Sequence, residues 1–310
     1  MRFETGADVT RDPRAVLTTG TFDGVHLGHQ AILRYLVARA REVGGVPTVV
    51  TFSPHPREVL TGTPIPLLTT LEERAALAGA LGVERFVVLP FTREMASMEP
   101  EDYVADVLLE QVGMQEAVIG YDHRFGRKRR GDRALLEELG QAHGFSVDVI
   151  PEQVVHGTTV SSSIIRRLLL EEGDAREAAA LLGRPYSFSG VVETGDQRGR
   201  TIGYPTANVA PEEARKVVPR PGVYAVRCDL PDGMRADGMM NVGRRPTFET
   251  DGRVKAEVHL LGFWGDLYDA TLCVHVVERL RDEQKFDGIE ALVAQLGRDR
   301  EAAERVLAGG

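Results

Sequence analysis

Apolar positions along the chain follow two rhythms. In the first half, short apolar runs alternate with segments whose apolar residues recur every three to four positions. The runs Ala15–Thr19, Val46–Phe52, Arg85–Leu89, Ala117–Gly120 and Phe145–Ile150 read as strands. Between them, Ala31–Ala40 sets Ile32, Leu33, Leu36, Val37 and Ala40 on one helical face, and Leu71–Leu81 and Tyr103–Val112 repeat that spacing. Strands alternating with helices predict βαβ units and a parallel sheet, which binds ligands beyond the carboxyl ends of its strands. Ser162–Leu170 and Ala175–Leu182 read as two short closing helices, and Gly183-Arg184-Pro185 then breaks the pattern. The second half is different. Ser187–Glu193, Val223–Cys228, Val254–Leu261 and Thr271–Leu280 are short, rich in β-branched residues and separated by Gly and Pro, which predicts an antiparallel barrel or sandwich. Ile289–Leu307 returns to helical spacing, with Gly297 as a weak point. The predicted domains are residues 1–183 and 184–310.

Composition narrows this picture. A chain of 310 residues, 43% hydrophobic and 27% charged, has material for two globular cores and excludes a mostly disordered protein. No run of about 18 apolar residues occurs, so no membrane span is expected. Met1–Thr10 carries Glu4 and Asp8 and lacks an apolar stretch, so no signal peptide is expected and a cytoplasmic location is. Two cysteines, Cys228 and Cys273, stand far apart without a CxxC, which argues against a disulfide framework and a cysteine zinc site. The part up to Gly183 holds 19 basic and 26 acidic residues and the rest 18 and 20, so the two carry −7 and −2 of the net −9. Neither is a basic nucleic-acid-binding domain.

Gly20-Thr-Phe-Asp-Gly-Val-His-Leu-Gly-His29 follows a predicted strand and opens a predicted helix. Its glycines permit a tight turn, and a helix start offers free N–H groups and partial positive charge to phosphate. His26 and His29 are either solvated turn residues or donors to phosphate oxygens. No G-K-[ST] occurs, which excludes a Walker loop, and neither HExxH nor G-x-S-x-G is present. Phe52-Ser-Pro-His-Pro56 falls at the same sheet edge. Gly120–Asp132 follows another strand, and six of the ten residues Arg124–Arg133 are basic, either a solvated charge run or a loop over polyphosphate. Val160–Arg166 opens a helix with serines, which cap, and with Arg166, which suits phosphate. In the second half, Gly195–Asn208 interleaves glycines with Arg198 and Arg200. It is either a hairpin turn or a phosphate loop, and the hydroxyl of Thr206 and the amide of Asn208 are hard ligands that suit Mg²⁺.

These motifs, in this order, resemble one family. H-x-G-H resembles the nucleotidyltransferase signature. With F-x-P-H-P, G-x-[ND]-x-x-F-G and S-S-[ST]-x-I-R, it resembles the N-terminal module of bacterial bifunctional riboflavin kinase/FAD synthetase. G-x-P-T-A-N, Pro221–Ala225, Asn241–Thr247, Glu257–Leu260, Asp266–Tyr268 and Leu280–Phe286 resemble its riboflavin kinase module. The resemblance implies a Rossmann-like nucleotidyltransferase domain with a parallel sheet, then a six-stranded antiparallel β-barrel with a terminal helix. It implies conversion of riboflavin to FMN in the second domain and of FMN to FAD, with pyrophosphate release, in the first. The substrates would be riboflavin, FMN and ATP with Mg²⁺, with FAD as final product, and without nucleic-acid or membrane partners, in a monomer or weak homo-oligomer. By the same resemblance His26 and His29 bind ATP phosphates, with Gly20, Phe22, Asp23, Gly24, Gly28, Ser162, Ser163 and Arg166 around them. Phe52, Pro54, His55 and Asp122 meet flavin. In the kinase Arg198, Gly199, Arg200, Gly203 and Pro205 hold ATP, Thr206 and Asn208 hold the metal, Glu257 is the base, and Arg281 and Phe286 meet flavin. Three positions depart from the family pattern: His123 for an aromatic residue, commonly Phe, Gly262 for Asp, and Asp269 for Gly. They leave two alternatives, an enzyme with one live activity and a flavin-binding protein without catalysis.

Overall fold

In the computed structural model, residues 1–194, 199, 202–243 and 255–309 are described. The chain divides into two compact units, Met1–Ser161 and Ser162–Gly310. The first is built on strands β1 (Arg2–Thr5), β2 (Ala15–Thr19), β3 (Val46–Ser53), β4 (Arg85–Pro90), β5 (Met114–Gly120) and β6 (Ser146–Ile150). They form one parallel sheet in the order β1-β4-β3-β2-β5-β6. A strand covered on both faces sends successive side chains to opposite layers. Val16, Val49, Phe86, Val88 and Val118 enter one core, and their neighbours Leu17, Val50, Val87, Leu89 and Ile119 enter the other. Helices α1 (Leu27–Val43) and α2 (Leu71–Ala80) close the first core. Helices α3 (Tyr103–Val112) and α4 (Arg133–His143) close the second.

The chain runs outward from β2 through β3 to β4, then returns past β2 to β5 and β6. That reversal beside β2 is where sheets of this kind bind ligands. The loops after β2, β3 and β5 leave at one edge and carry His26, His55 and Asp122. Sequence spacing missed β1, a short edge strand fastened by charge rather than by apolar alternation. Arg85, fully buried on β4, donates to Glu4 through Nε (2.9 Å) and Nη2 (2.8 Å), to the Val112 carbonyl (3.0 Å) and to the Thr10 carbonyl. A small ribbon of β7 (Val154–Val155) and β8 (Thr158–Thr159) ends the unit.

The second unit opens with α5 (Ser162–Arg167) and α6 (Ala175–Leu182). The division thus falls ahead of the break at Gly183, and the linking turns fasten onto the barrel: the Arg220 N–H donates to the Leu169 carbonyl at 2.9 Å. Strands β9 (Tyr186–Glu193), β10 (Ala207–Pro211), β11 (Gly222–Asp229), β12 (Arg235–Gly243), β13 (Lys255–Leu260) and β14 (Thr271–Arg281) close into an antiparallel barrel, ordered β10-β13-β12-β11-β14-β9. Strands β10 and β12 were not read from the sequence, because Asn208 and Asn241 interrupt their apolar positions. Phe188, Val209, Tyr224, Val226, Val242, Val258 and Val274 are buried in this unit. Helix α7 (Ile289–Ala308) lies outside and runs unbroken through Gly297, with Ala303 and Leu307 packed on Ala225 and Met239. Among the described residues no helix is long and apolar enough to cross a membrane.

Candidate active sites

The turn after β2 is held in backbone geometry that side chains rarely accept. Phe22 (φ 49°), Gly24 (φ 86°) and Val25 (φ 39°) are all left-handed. Asp23 anchors them. Its fully buried carboxylate accepts the N–H groups of Leu68 (3.1 Å) and Thr69 (2.9 Å), the Thr69 hydroxyl (3.0 Å) and Arg74 Nη2 (3.3 Å). The Thr69 Oγ1 in turn accepts the Gly24 N–H at 2.8 Å. Asp23 therefore faces the scaffold and fixes the turn that carries the histidines.

His26 caps α1, its Nδ1 accepting the His29 N–H at 3.3 Å. The two imidazoles stack with centroids 3.6 Å apart and planes 17° from parallel, and the edge of Phe22 meets His29 at 5.0 Å. Gly28 makes room for the stack: a Cβ there would lie 3.2 Å from the His26 ring. A Cβ on Gly20 would likewise crowd the Phe22 ring at 3.2 Å. Burial, then the neighbouring His26 and Arg74, hold His29 well below the ordinary histidine pKa, so it stands neutral at pH 7. Among the described residues its Nδ1 is buried without a hydrogen-bond partner. A buried orphan at a helix start, where N–H groups and partial positive charge gather, fits an incoming phosphate.

Phe52, the next-to-last residue of β3, stands edge-on to Phe91 at 5.5 Å, and Ser53 and the exposed Pro54 follow. His55 caps the short helix Pro56–Thr61, accepting the Arg57 N–H at 3.1 Å. Asp122 is exposed, and His123 stacks on Phe125 at 5.7 Å. Burial lowers the His123 pKa to about 4. In the basic loop Arg124 pairs with Asp132, Arg127 and Arg130 with Glu99, and Arg133 with Glu137. Lys128 and Arg129 have no carboxylate partner among the described residues. Ser162, Ser163 and Arg166 start α5 and belong to the second unit. The Val160 carbonyl, ahead of them in the first unit, lies 3.8 Å from where a Gly28 Cβ would stand.

In the barrel Arg198 and Arg200 lie outside the described residues. Gly199 is required by close approach, because a Cβ would meet the Tyr204 carbonyl oxygen at 2.1 Å. The Gly199 carbonyl accepts the N–H groups of Ile202 (3.2 Å) and Tyr204 (2.8 Å), Gly203 turns left-handed (φ 82°), and Pro205 and Thr206 are exposed. Asn208 on β10 is directly opposite Glu257 on β13 and Glu193 on β9, and Glu257 is opposite Asn241 on β12. Their chain neighbours Val209, Ala256, Val258 and Val242 are buried, so this row of oxygen-bearing side chains shares the other, outer wall. His259, two residues beyond Glu257, approaches the Pro205 carbonyl through Nδ1 at 2.7 Å and packs on Tyr204 at 5.2 Å. Glu193, Asn241 and His259 were not singled out from the sequence, although the two-residue step from Glu257 to His259 already put both on one face.

Arg281 is committed to α7. Nε and Nη2 grip the buried Asp299 carboxylate at 2.8 and 2.6 Å, and Nη1 donates to the Asp282 carbonyl at 2.8 Å. Its guanidinium carbon lies 6.0 Å from the Phe286 ring centre. Gly262 (φ 67°) and Asp269 (φ 60°) are both left-handed, so the glycine usual at the second position has a conformational reason.

Comparison with known proteins agrees with this two-part layout. The FAD synthetase family model matches residues 8–164 and the riboflavin kinase model residues 182–307. A bifunctional riboflavin kinase/FMN adenylyltransferase of Pseudomonas fluorescens is 41% identical over 94% of this chain and 93% of its own. One from Listeria monocytogenes is 36% identical over 95% and 93%. A solved structure from Streptococcus pneumoniae, titled a macrolide-efflux protein, superposes with TM-score 0.87 at 31% identity, covering 97% of this chain and 98% of that one. The chain therefore belongs to the bifunctional riboflavin kinase/FMN adenylyltransferase family.

Proposed function

We propose that the barrel phosphorylates riboflavin and that the parallel-sheet unit adenylylates the resulting FMN, each through the residues described above. The observation that carries the reading is the register that sets Asn208 directly against Glu257. A carboxylate beside an amide oxygen, close to an exposed threonine hydroxyl, is a base next to hard metal ligands. In the barrel Glu257 accepts the proton of the riboflavin 5′-hydroxyl as that oxygen bonds to the γ-phosphorus of ATP and ADP leaves. Thr206 and Asn208 suit Mg²⁺, which when bound neutralises phosphate charge. His259, by holding the Pro205 carbonyl, positions that turn. Arg198, Gly199, Arg200 and Gly203 form the nucleotide loop, and Arg281 supports the flavin side by fixing α7 and backing Phe286.

In the first unit an FMN phosphate oxygen bonds to the α-phosphorus of a second ATP, and pyrophosphate leaves. The nucleophile is already anionic, so no base is needed. His26, His29 and the start of α1 stabilise the developing charge. Phe52, Pro54, His55 and Asp122 line the flavin side. The reading includes work in the cytoplasm, a monomer or weak homo-oligomer, and no nucleic-acid partner, since four of the loop's basic residues already pair with carboxylates.

A time course with riboflavin, ATP and Mg²⁺ should give FMN first and FAD later. Glu257→Gln should cut FMN formation by about 10²–10⁴-fold and leave conversion of supplied FMN to FAD intact. His29→Ala should do the reverse. A single change that removed both activities from a folded protein would end the two-site reading, and flavin binding without turnover in the unaltered chain would favour the non-catalytic one.

A further inference from the structure

Among the described residues, one group of cysteine, histidine and carboxylate side chains converges closely enough to share a metal ion, and it lies apart from the Asn208–Glu257 row. On β14 the side chains of Leu272, Val274 and Val276 are buried, so Cys273 and His275 project together from the outer wall. Asp229, at the end of β11, is directly opposite Cys273. His275 Nε2 lies 2.7 Å from Asp229 Oδ2 and 3.6 Å from Cys273 Sγ. All three ligand atoms fall within 4.8 Å of one another.

Both partners meet the same ring nitrogen. A Cys-His-Asp relay needs the thiol and the carboxylate on opposite nitrogens, so the group is not arranged as a hydrolase triad. It is arranged around a point. Tetrahedral zinc with Zn–S of about 2.3 Å and Zn–N of about 2.0–2.1 Å sets sulfur and nitrogen about 3.6 Å apart. That is the separation found here, and the Asp229 oxygen, 2.7 Å from Nε2, has to back away by about 0.7 Å to complete the set. Its other oxygen is already held by Arg235 Nε at 2.7 Å, the kind of outer support that orients a ligating carboxylate. The side chains of His275 and Asp229 stay 22% and 39% exposed, which leaves access and a fourth position for water.

We propose that Asp229, Cys273 and His275 form a site for a borderline-soft divalent transition metal, zinc in the first place. The cysteine spacing gave no hint of it, because strand pairing rather than sequence distance assembles the ligands. On binding, the Cys273 thiol releases its proton to solvent and Sγ bonds to the metal. The His275 ring carries its remaining proton on Nδ1, and Nε2 donates its lone pair.

Co²⁺ added to the purified full-length chain in excess Mg²⁺ tests this. One equivalent should produce a thiolate-to-cobalt charge-transfer band and tetrahedral visible bands, which Zn²⁺ then abolishes by displacement. Cys273→Ser should lose the charge-transfer band, and His275→Gln should weaken binding at least 10-fold. Cys228→Ser should keep the band, because Cys228 is buried on the neighbouring strand. Retained FMN formation certifies that each variant is folded. No band in the unaltered chain, a band that survives in Cys273→Ser, or one that vanishes in Cys228→Ser with kinase activity intact would overturn the site. If Cys273→Ser does not fold, His275→Gln decides alone, and undiminished cobalt affinity in it would overturn the site equally.

Discussion

Gly28 shows how one missing methyl group organises a site. The His26 ring lies directly against Gly28, so an alanine Cβ there would stand 3.2 Å from the ring that stacks on His29. The ring would have to yield by a few tenths of an ångström. Misplacement on that scale is expensive when the task is to meet charge at a fixed point, so Gly28→Ala should lower FMN adenylylation at least about 10-fold. Kinase activity measured on the same sample should not change. Asp269 poses the opposite case, a side chain where glycine would be easier. Its φ of 60° carries left-handed strain of about 1–2 kcal/mol, against about 0.5–1 kcal/mol for the extra freedom a glycine loses on folding. Asp269→Gly should therefore stabilise by about 0.5 kcal/mol, read from the urea midpoint, and a loss of stability would mean that the aspartate side chain contributes contacts of its own.

At the scale of elements, what was legible in the sequence and what was not follow from where each element gets its stability. Strands β2 to β4 were readable because each enters two cores and is largely apolar, and β5 and β6 because their apolar residues cluster toward their carboxyl ends. α1 was readable in its middle from its spacing, and its start from the glycine-rich segment that ends in His26 and His29, where His26 caps it. β1 was not readable, because of its residues only Glu4 is buried and an ion pair fastens it to β4. Breaking such a pair leaves a charge buried without compensation, so Glu4→Gln should cost about 3 kcal/mol in urea unfolding. The barrel repeats the lesson. Glu257, Thr206 and Asn208 were reachable through motif resemblance. Asn241 opens a motif that resembles the kinase, but its place beside Glu257, like that of Glu193 beside Asn208, depends on which strands pair and in what register. Asp229 and Cys273 are 44 residues apart in the chain and directly opposite in the sheet.

For the whole molecule, acidification acts mainly on the first unit. An unfolded histidine takes a proton near its ordinary value of 6.5, whereas folded His29 and His123 resist it. The unfolded state then binds more protons, so stability is full above pH 6.5 and falls below it, by about 1.4 kcal/mol per pH unit for each histidine until its folded value is reached. Glu4, depressed by its bonds to Arg85, loses its contribution as pH drops below its ordinary 4.5. His123→Phe, which keeps a ring against Phe125, should make stability measured by circular dichroism less steep in pH between about 6.5 and 4. An unchanged slope would mean that His123 titrates normally. Barrel closure has a consequence during synthesis. Strand β9 finds one of its two neighbours only when Thr271 pairs with Val191, late in the chain, while the last strand of the parallel sheet is complete at Ile150. Closing so long a loop is entropically slow, and until it closes β9 and β11 each present an unpaired edge. A ribosome therefore releases the FAD-forming unit for folding first and the FMN-forming unit last, so the nascent chain acquires its two activities in the reverse of the order in which the flavin passes through them.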